Sequence, residues 1–260
     1  ATSFLQQVAG EDDALSQNAY YLLGYCYLQE DQKQFASNAF ASASDMDFDK
    51  NIQEDALFNF IKLSMEISKD PYNTAIKNLE AYIQDYPDSP KKNEAYQYLA
   101  NLYLSTRNYK NALESIENIQ FRNDVLNEAY QKILFYRGVE LFNQSSFQKA
   151  IAMFKKSSDN SVDAALAAEA DFWIAESFYR LENYWGAMKY FKQFLNSPYS
   201  RNSEYKDKAL YNLGYVYFKR DDYANAVSYF KRYINESGRT SKMANDALIR
   251  IADCYMISKD

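Results

Sequence analysis

Histidine is absent from all 260 residues. That omission removes the commonest general base, the usual pH switch and the usual metal ligand. It excludes serine–histidine and cysteine–histidine catalysis as well. Cysteine is scarce: Cys26 and Cys254 stand near opposite ends of the chain, too few for a disulfide framework or a zinc site. Glycine (6) and proline (4) are few, whereas Tyr numbers 25 and Phe 17. Few breakers and many rings suit long helices joined by tight turns, with rings filling the seams. Basic residues form no run and the net charge is −6, so nucleic acid is not an expected partner and the acidity reads as solubility. No apolar run approaches the ~20 residues of a membrane span. Gly-rich phosphate loops, paired-Gly dinucleotide fingerprints and metal-binding helix motifs are all missing. A protein without enzymatic activity, cofactor or metal is expected.

What the chain does contain is a repeated unit, clearest over residues 207–234, DKALYNLGYVYFKRDDYANAVSYFKRYI. It reads as an amphipathic helix, an Asp-Asp turn and a second amphipathic helix. A small residue in each first helix recurs at Gly24, Ala100, Gly138, Ala175, Gly214 and Ala252. One early in each second helix recurs at Ala36, Ala75, Ala112, Ala150, Ala187 and Ala226, with steps of 39, 37, 38, 37 and 39. Three residues after the first small residue comes a bulky one: Tyr27, Tyr103, Leu141, Phe178, Tyr217 and Tyr255. Three before the second comes a ring at Tyr72, Tyr109, Phe147, Tyr184 and Tyr223. Four after it comes a core residue: Phe40, Leu79, Ile116, Phe154, Phe191 and Phe230. Offsets of three and four share one helical face, where small residues let backbones approach and large ones fill the adjoining grooves.

The expected helix pairs are 12–29 with 32–44, 51–68 with 71–85, 90–105 with 109–120, 124–143 with 147–157, 161–181 with 184–196, and 202–219 with 223–236. A final helix at 241–257 has no partner and is expected to expose Leu248, Ile251 and Tyr255. In the second pair Leu63 and Ser64 compete for the small-residue register. Breakers at Tyr86-Pro87-Asp88-Ser89-Pro90 and Ser197-Pro198 mark helix ends. Residues 1–260 read as one repeat domain, an excerpt of a longer chain that does not begin with Met. Asp12-Asp13 and Asp221-Asp222 read as helix-start and turn residues. The two cysteines occupy the same repeat position and read as small core side chains.

The set Leu213-Gly214, Tyr217, Tyr223, Ala226 and Phe230 resembles the tetratricopeptide repeat (TPR) pattern of leucine-glycine, tyrosine, alanine and phenylalanine. The resemblance covers residues 12–257, although the period near 38 departs from the usual 34. That period, and the Tyr-Pro-Asp-Ser-Pro link followed by Ala95 and Leu99, are similar to envelope TPR arrays. Those include outer-membrane-assembly lipoproteins, the Tol-Pal accessory protein and the long TPR proteins of Bacteroides-like bacteria. The resemblance implies an all-α superhelix, a solenoid of six to seven helix-turn-helix repeats, and a periplasmic or outer-membrane-associated location.

It also implies that first helices line a concave groove holding a protein or peptide. Carried over by register, the groove positions include Tyr21 and Tyr25, Asn101, Lys132 and Phe135. Further along they are Phe172, Glu176 and Tyr179, then Lys208, Tyr211, Tyr215 and Phe218. Rings at such positions suit docking of a peptide or helix, burying large area at low side-chain entropy cost. A carboxylate clamp for peptide C-termini is excluded, because Gln97 replaces the required lysine and Glu169 opposes a basic partner. The alternative is carbohydrate binding, since rings stack on sugar faces and some glycan-capture lipoproteins contain TPR-like helices. The oligomeric state is open at this level.

Overall fold

A computed structural model describes residues 1–67, 71–105, 107–119, 121–160, 162–238 and 243–258, and of 71–73 the backbone alone. The helix edges expected at 68, 120, 161 and 241, and the ring expected at Tyr72, lie outside the described residues. Packing divides the chain into two compact units, Ala1–Arg107 and Asn108–Asp260. The first holds α1 (Thr2–Val8), α2 (Ala14–Gln29), α3 (Lys33–Ser44), α4 (Lys50–Ile67), α5 (Pro71–Asp85) and α6 (Lys92–Ser105). The second holds α7 (Tyr109–Glu117), α8 (Asp124–Asn143), α9 (Phe147–Asp159) and α10 (Ala164–Arg180). It continues with α11 (Tyr184–Asn196), a 3-10 turn at Pro198–Asn202, α12 (Lys206–Phe218), α13 (Tyr223–Ser237) and α14 (Ala244–Ile257). The fold is all-α, without a β-strand among the described residues, and within each unit every helix packs on its neighbours in chain order. No helix among the described residues is long and apolar enough to cross a membrane.

The periodic residues form the cores. Phe40, Leu79, Ile116, Phe154, Phe191 and Phe230 are all fully buried, and the second-helix alanines are at most 4% exposed. The glycines of the first helices lie directly beneath the phenylalanines sixteen residues later. A Cβ at Gly24, Gly138 or Gly214 would come within 2.6, 2.6 and 2.7 Å of the rings of Phe40, Phe154 and Phe230 respectively. In the second pair Leu63, 6% exposed, takes the core register and Ser64 bonds back to the Ile61 carbonyl at 2.7 Å. Ala252 and Tyr255 are exposed, as is Leu248. Ile251 is not: it is only 9% exposed, having turned into the core that α13 shares with α14.

Glycine is scarce in the turns because other residues take its place there. Asp31, Arg107, Ser145, Glu182 and Asp221 all have φ between 53° and 58°, one in each intra-repeat turn among the described residues. In four of these turns the same pair of bonds closes the helix. Ser145 N–H bonds the Phe142 carbonyl at 2.9 Å and Ser146 N–H the Leu141 carbonyl at 2.8 Å, with equivalents after Asp31, Glu182 and Asp221. The next helix is then capped by Asn108, Asn183 or Asp222, and Asp13 caps α2. Both Asp pairs therefore serve as turn and cap residues. A left-handed non-glycine residue costs ~1–2 kcal/mol, and glycine adds back ~0.4–1 kcal/mol of unfolded-state entropy. Ser145→Gly is thus expected to stabilise the protein by about 0.5–1 kcal/mol in urea unfolding, and a loss of stability would contradict the turn geometry.

A glutamine fastens successive repeats where nothing in its residue type announced it. Gln17, fully buried on α2, accepts from Asp49 N–H at 2.7 Å and donates to the Met46 carbonyl at 2.7 Å. Gln131, at the same position on α8, accepts from Asp163 N–H at 2.7 Å and donates to the Asp163 carbonyl at 2.8 Å. Each side chain holds the backbone thirty-two residues ahead, at the approach to the next first helix. Both cysteines are free thiols; Cys254 is buried and Cys26 half-buried.

Candidate functional site

Rings three residues before the small residue of four first helices make a recurring contact. Tyr21, Phe135, Phe172 and Tyr211 meet Phe40, Phe154, Phe191 and Phe230 edge to face, with centroids 5.6–6.1 Å apart. Their exposure divides by chemistry. Phe135 and Phe172 are 5% and 2% exposed, which corrects their assignment to the groove: with no polar tip, they turn fully inward. Phe172 lies among Phe191, Phe194 and a stacked Tyr205. Tyr21 and Tyr211 keep hydroxyls that reach a carboxylate on the following first helix, so they stay half-buried.

Those two tyrosines head matched clusters. On α2, Tyr21 and Tyr25 both donate to Asp55 Oδ2 of α4 at 2.9 Å, with their rings edge to face. Asn59 also donates to that oxygen at 2.8 Å, and Lys91 pairs with Oδ1. Burial acts to raise the Asp55 pKa, but the Lys91 ammonium and the two phenols outweigh it and hold the carboxyl below its ordinary value. On α12, Tyr211 donates to Asp246 Oδ2 of α14 at 2.7 Å and Tyr215 donates to the same oxygen. Burial, first, and the facing carboxylate raise the pKa of Tyr21, Tyr211 and Tyr215, which keeps these phenols protonated donors. Each cluster joins two successive first helices of its own unit.

The other residues that register assigns to a groove lie on α6, α8, α10 and α12. Glu176 is 9% exposed and accepts from Asn212; burial raises its pKa against the opposing pull of Arg180, Asn212 and Lys208. Tyr179 meets Tyr184 edge to face and Phe218 meets Tyr223 likewise. Lys208 and Asn101 are exposed, and Lys132 pairs with Glu128 on its own helix. The accessible remainder is Tyr25, Asn101 and Lys208, with partly exposed Tyr21, Lys132, Tyr179, Tyr211, Tyr215 and Phe218. These are hydrogen-bonding and aromatic groups without a nucleophile–base pair among them. No group of three or more His, Cys, Asp or Glu residues able to hold a metal lies among the described residues.

One buried acid escaped sequence reasoning. Asp171 on α10 occupies a column filled elsewhere by Tyr20, Tyr96, Leu134 and Leu210. It is 6% exposed, accepts from Gln193 Nε2 at 2.9 Å, and burial lifts its pKa to about 6. The signal was present as the one charged residue in a core column.

Two tetratricopeptide repeat family models match, over residues 135–203 and 208–237. In three dimensions the chain is similar to the C-terminal part of a TPR repeat-containing protein from Cytophaga hutchinsonii. They share 16% identity at a TM-score of 0.51, over 95% of this chain and 93% of that one. It is also similar to BtubC from P. vanneervenii, with 15% identity and a TM-score of 0.49, over 82% and 86% of the two chains. No curated protein matches the chain in sequence. With the small-and-large register buried as that pattern requires, the chain carries tetratricopeptide repeats over residues 135–203 and 208–237.

Proposed function

We propose that this protein is a non-enzymatic scaffold whose first helices hold a peptide or protein segment. The TPR fold supports a role in protein–protein interaction in general. The observation that carries the finer reading is the set of half-exposed tyrosines on α2, α10 and α12. Their positions are fixed by carboxylates and neighbouring rings, so a partner meets amphipathic surfaces already ordered before it arrives. Carbohydrate binding draws less support, because Tyr21–Tyr25 and Tyr211–Tyr215 meet edge to face and present no flat platform. Placement in the cell envelope, and a role in its assembly, rest on the sequence resemblance alone.

The test is photo-crosslinking in the native cell extract from a benzophenone amino acid at 179 or 218, compared with 34 on α3. Defined protein adducts from 179 and 218 and none from 34 are expected. Adducts from 34 alone would overturn the groove assignment. Replacing Tyr179 and Lys208 by alanine should abolish the adducts formed from 218 while leaving the helical circular dichroism unchanged.

A further inference from the structure

Three second helices of the C-terminal unit, α9, α11 and α13, carry a charge that the rest of the chain does not. Residues 1–107 hold 8 Lys and Arg against 16 Asp and Glu, yet α9, α11 and α13 together hold 7 against 2. A lysine follows the buried phenylalanine in each of these helices, at Lys155, Lys192 and Lys231. At the equivalent positions of earlier repeats stand Ala41, Glu80 and Glu117. The sequence shows no basic run because these cations are dispersed along it; the fold collects them.

Contacts from helix to helix show that they form one surface. The Lys155 ammonium on α9 lies 5.8 Å from the Tyr190 ring of α11. Lys192 on α11 lies 5.3 Å from the Tyr217 ring of α12, which stacks on Tyr229 of α13 at 5.4 Å. Arg232 covers Tyr229 at 5.8 Å, and Lys231 donates to the Tyr255 hydroxyl of α14 at 2.9 Å. Cations and rings thus alternate from α9 to α14, with Lys155, Lys231 and Arg232 exposed.

We propose that this ribbon is a second docking surface, for an acidic stretch of polypeptide. Three observations select carboxylates over phosphate polyanions. The surface already binds carboxylates of its own chain, Glu117 by Lys156 at 3.2 Å and Glu236 by Arg232 at 3.5 Å. Its rings on α11, α12 and α13 are half-buried or buried, with cations or other rings against them, and Lys231 lies 5.5 Å from the exposed Tyr255 ring, which leaves few free faces on which bases stack. The net charge of −6 repels a long polyanion, whereas a short acidic segment meets the local excess within a screening length of ~8–10 Å. An extended chain advances ~3.3–3.6 Å per residue, so an acidic segment of about twelve residues reaches ~40 Å along the ribbon.

The test is fluorescence anisotropy of a labelled oligo-glutamate of about twelve residues, long enough to cross the ribbon, with the full chain at low and physiological salt. Binding that weakens with salt is expected, together with a loss of at least ~10-fold in Lys155→Glu/Lys192→Glu/Lys231→Glu. Lys132→Glu/Lys208→Glu, on the first helices, should bind as the wild type does. The Lys→Gln triple variant, matched to wild type in melting temperature, separates charge from folding and is expected to bind more weakly than wild type. Absence of oligo-glutamate binding would overturn the proposal. So would equal loss in the first-helix variant, or equal or tighter binding of a single-stranded oligonucleotide or phosphatidylserine vesicles.

Discussion

Phe154→Ala is expected to lower stability by about 3–5 kcal/mol, as truncation of a fully buried ring does when the surrounding helices cannot close on the cavity. The seam allows a sharper measurement. Gly138 lies directly beneath that ring, so Gly138→Leu alone overpacks the seam and should cost at least ~1–3 kcal/mol. Combined with Phe154→Ala, the leucine enters the vacated space, and the double variant should be more stable than the sum of the single losses predicts by ~0.5–3 kcal/mol. Urea unfolding of the four proteins closes the cycle. Additivity within ~0.3–0.5 kcal/mol would show that the two side chains do not share a space.

The second large effect depends on pH. The carboxyl of Asp171 has an ordinary value of 3.8 and sits at about 6 in the fold. Between those values the folded chain retains a proton that the unfolded chain has released. Stability from this group therefore falls as pH rises through the window and levels off above it. A rise of about two pH units corresponds to ~3 kcal/mol, an upper figure for a group held in a still-hydrated protein. Asp171→Asn keeps an acceptor for Gln193 and removes the ionisation. It should unfold at higher urea than wild type at pH 8 by about 2–3 kcal/mol, with the difference gone at pH 4. Burial also raises Glu169 and Glu176, but both are common to the two proteins and cancel in the comparison. An equal difference at both pH values would mean that the fold does not raise the Asp171 carboxyl above its ordinary value.

The scaffold was legible because its signal is a size pattern. Ala150, Phe154, Ala187, Phe191, Ala226 and Phe230 recur at fixed offsets, and volume alone decides that such residues meet. The site was legible only in part, because position on a helix does not say where a side chain ends. Phe135 and Tyr211 share a register, and only the phenolic oxygen of Tyr211, bonded thirty-five residues ahead, keeps that ring toward solvent. Its partner Asp246 follows no period, since Asp55 and Asp246 stand at different distances from their own repeat markers. Gln17 and Gln131 were missed for a related reason: they bind backbone, which every residue has. The α1 helix carries no repeat signature and was not anticipated.

The glutamine bonds carry a consequence for how the protein opens. Each spans thirty-two residues and, with the tyrosine–aspartate clusters and the Asn212–Glu176 bond, belongs to a small set of contacts that skip a helix, whereas most packing joins neighbours in the chain. With so little linking distant segments, a unit has no single event on which all its order depends. Amide hydrogen exchange within each unit should accordingly be graded, fastest in α1 and α14 and slowest around Gln17 and Gln131. A partner that straightens or bends the protein then works against individual joints, one at a time.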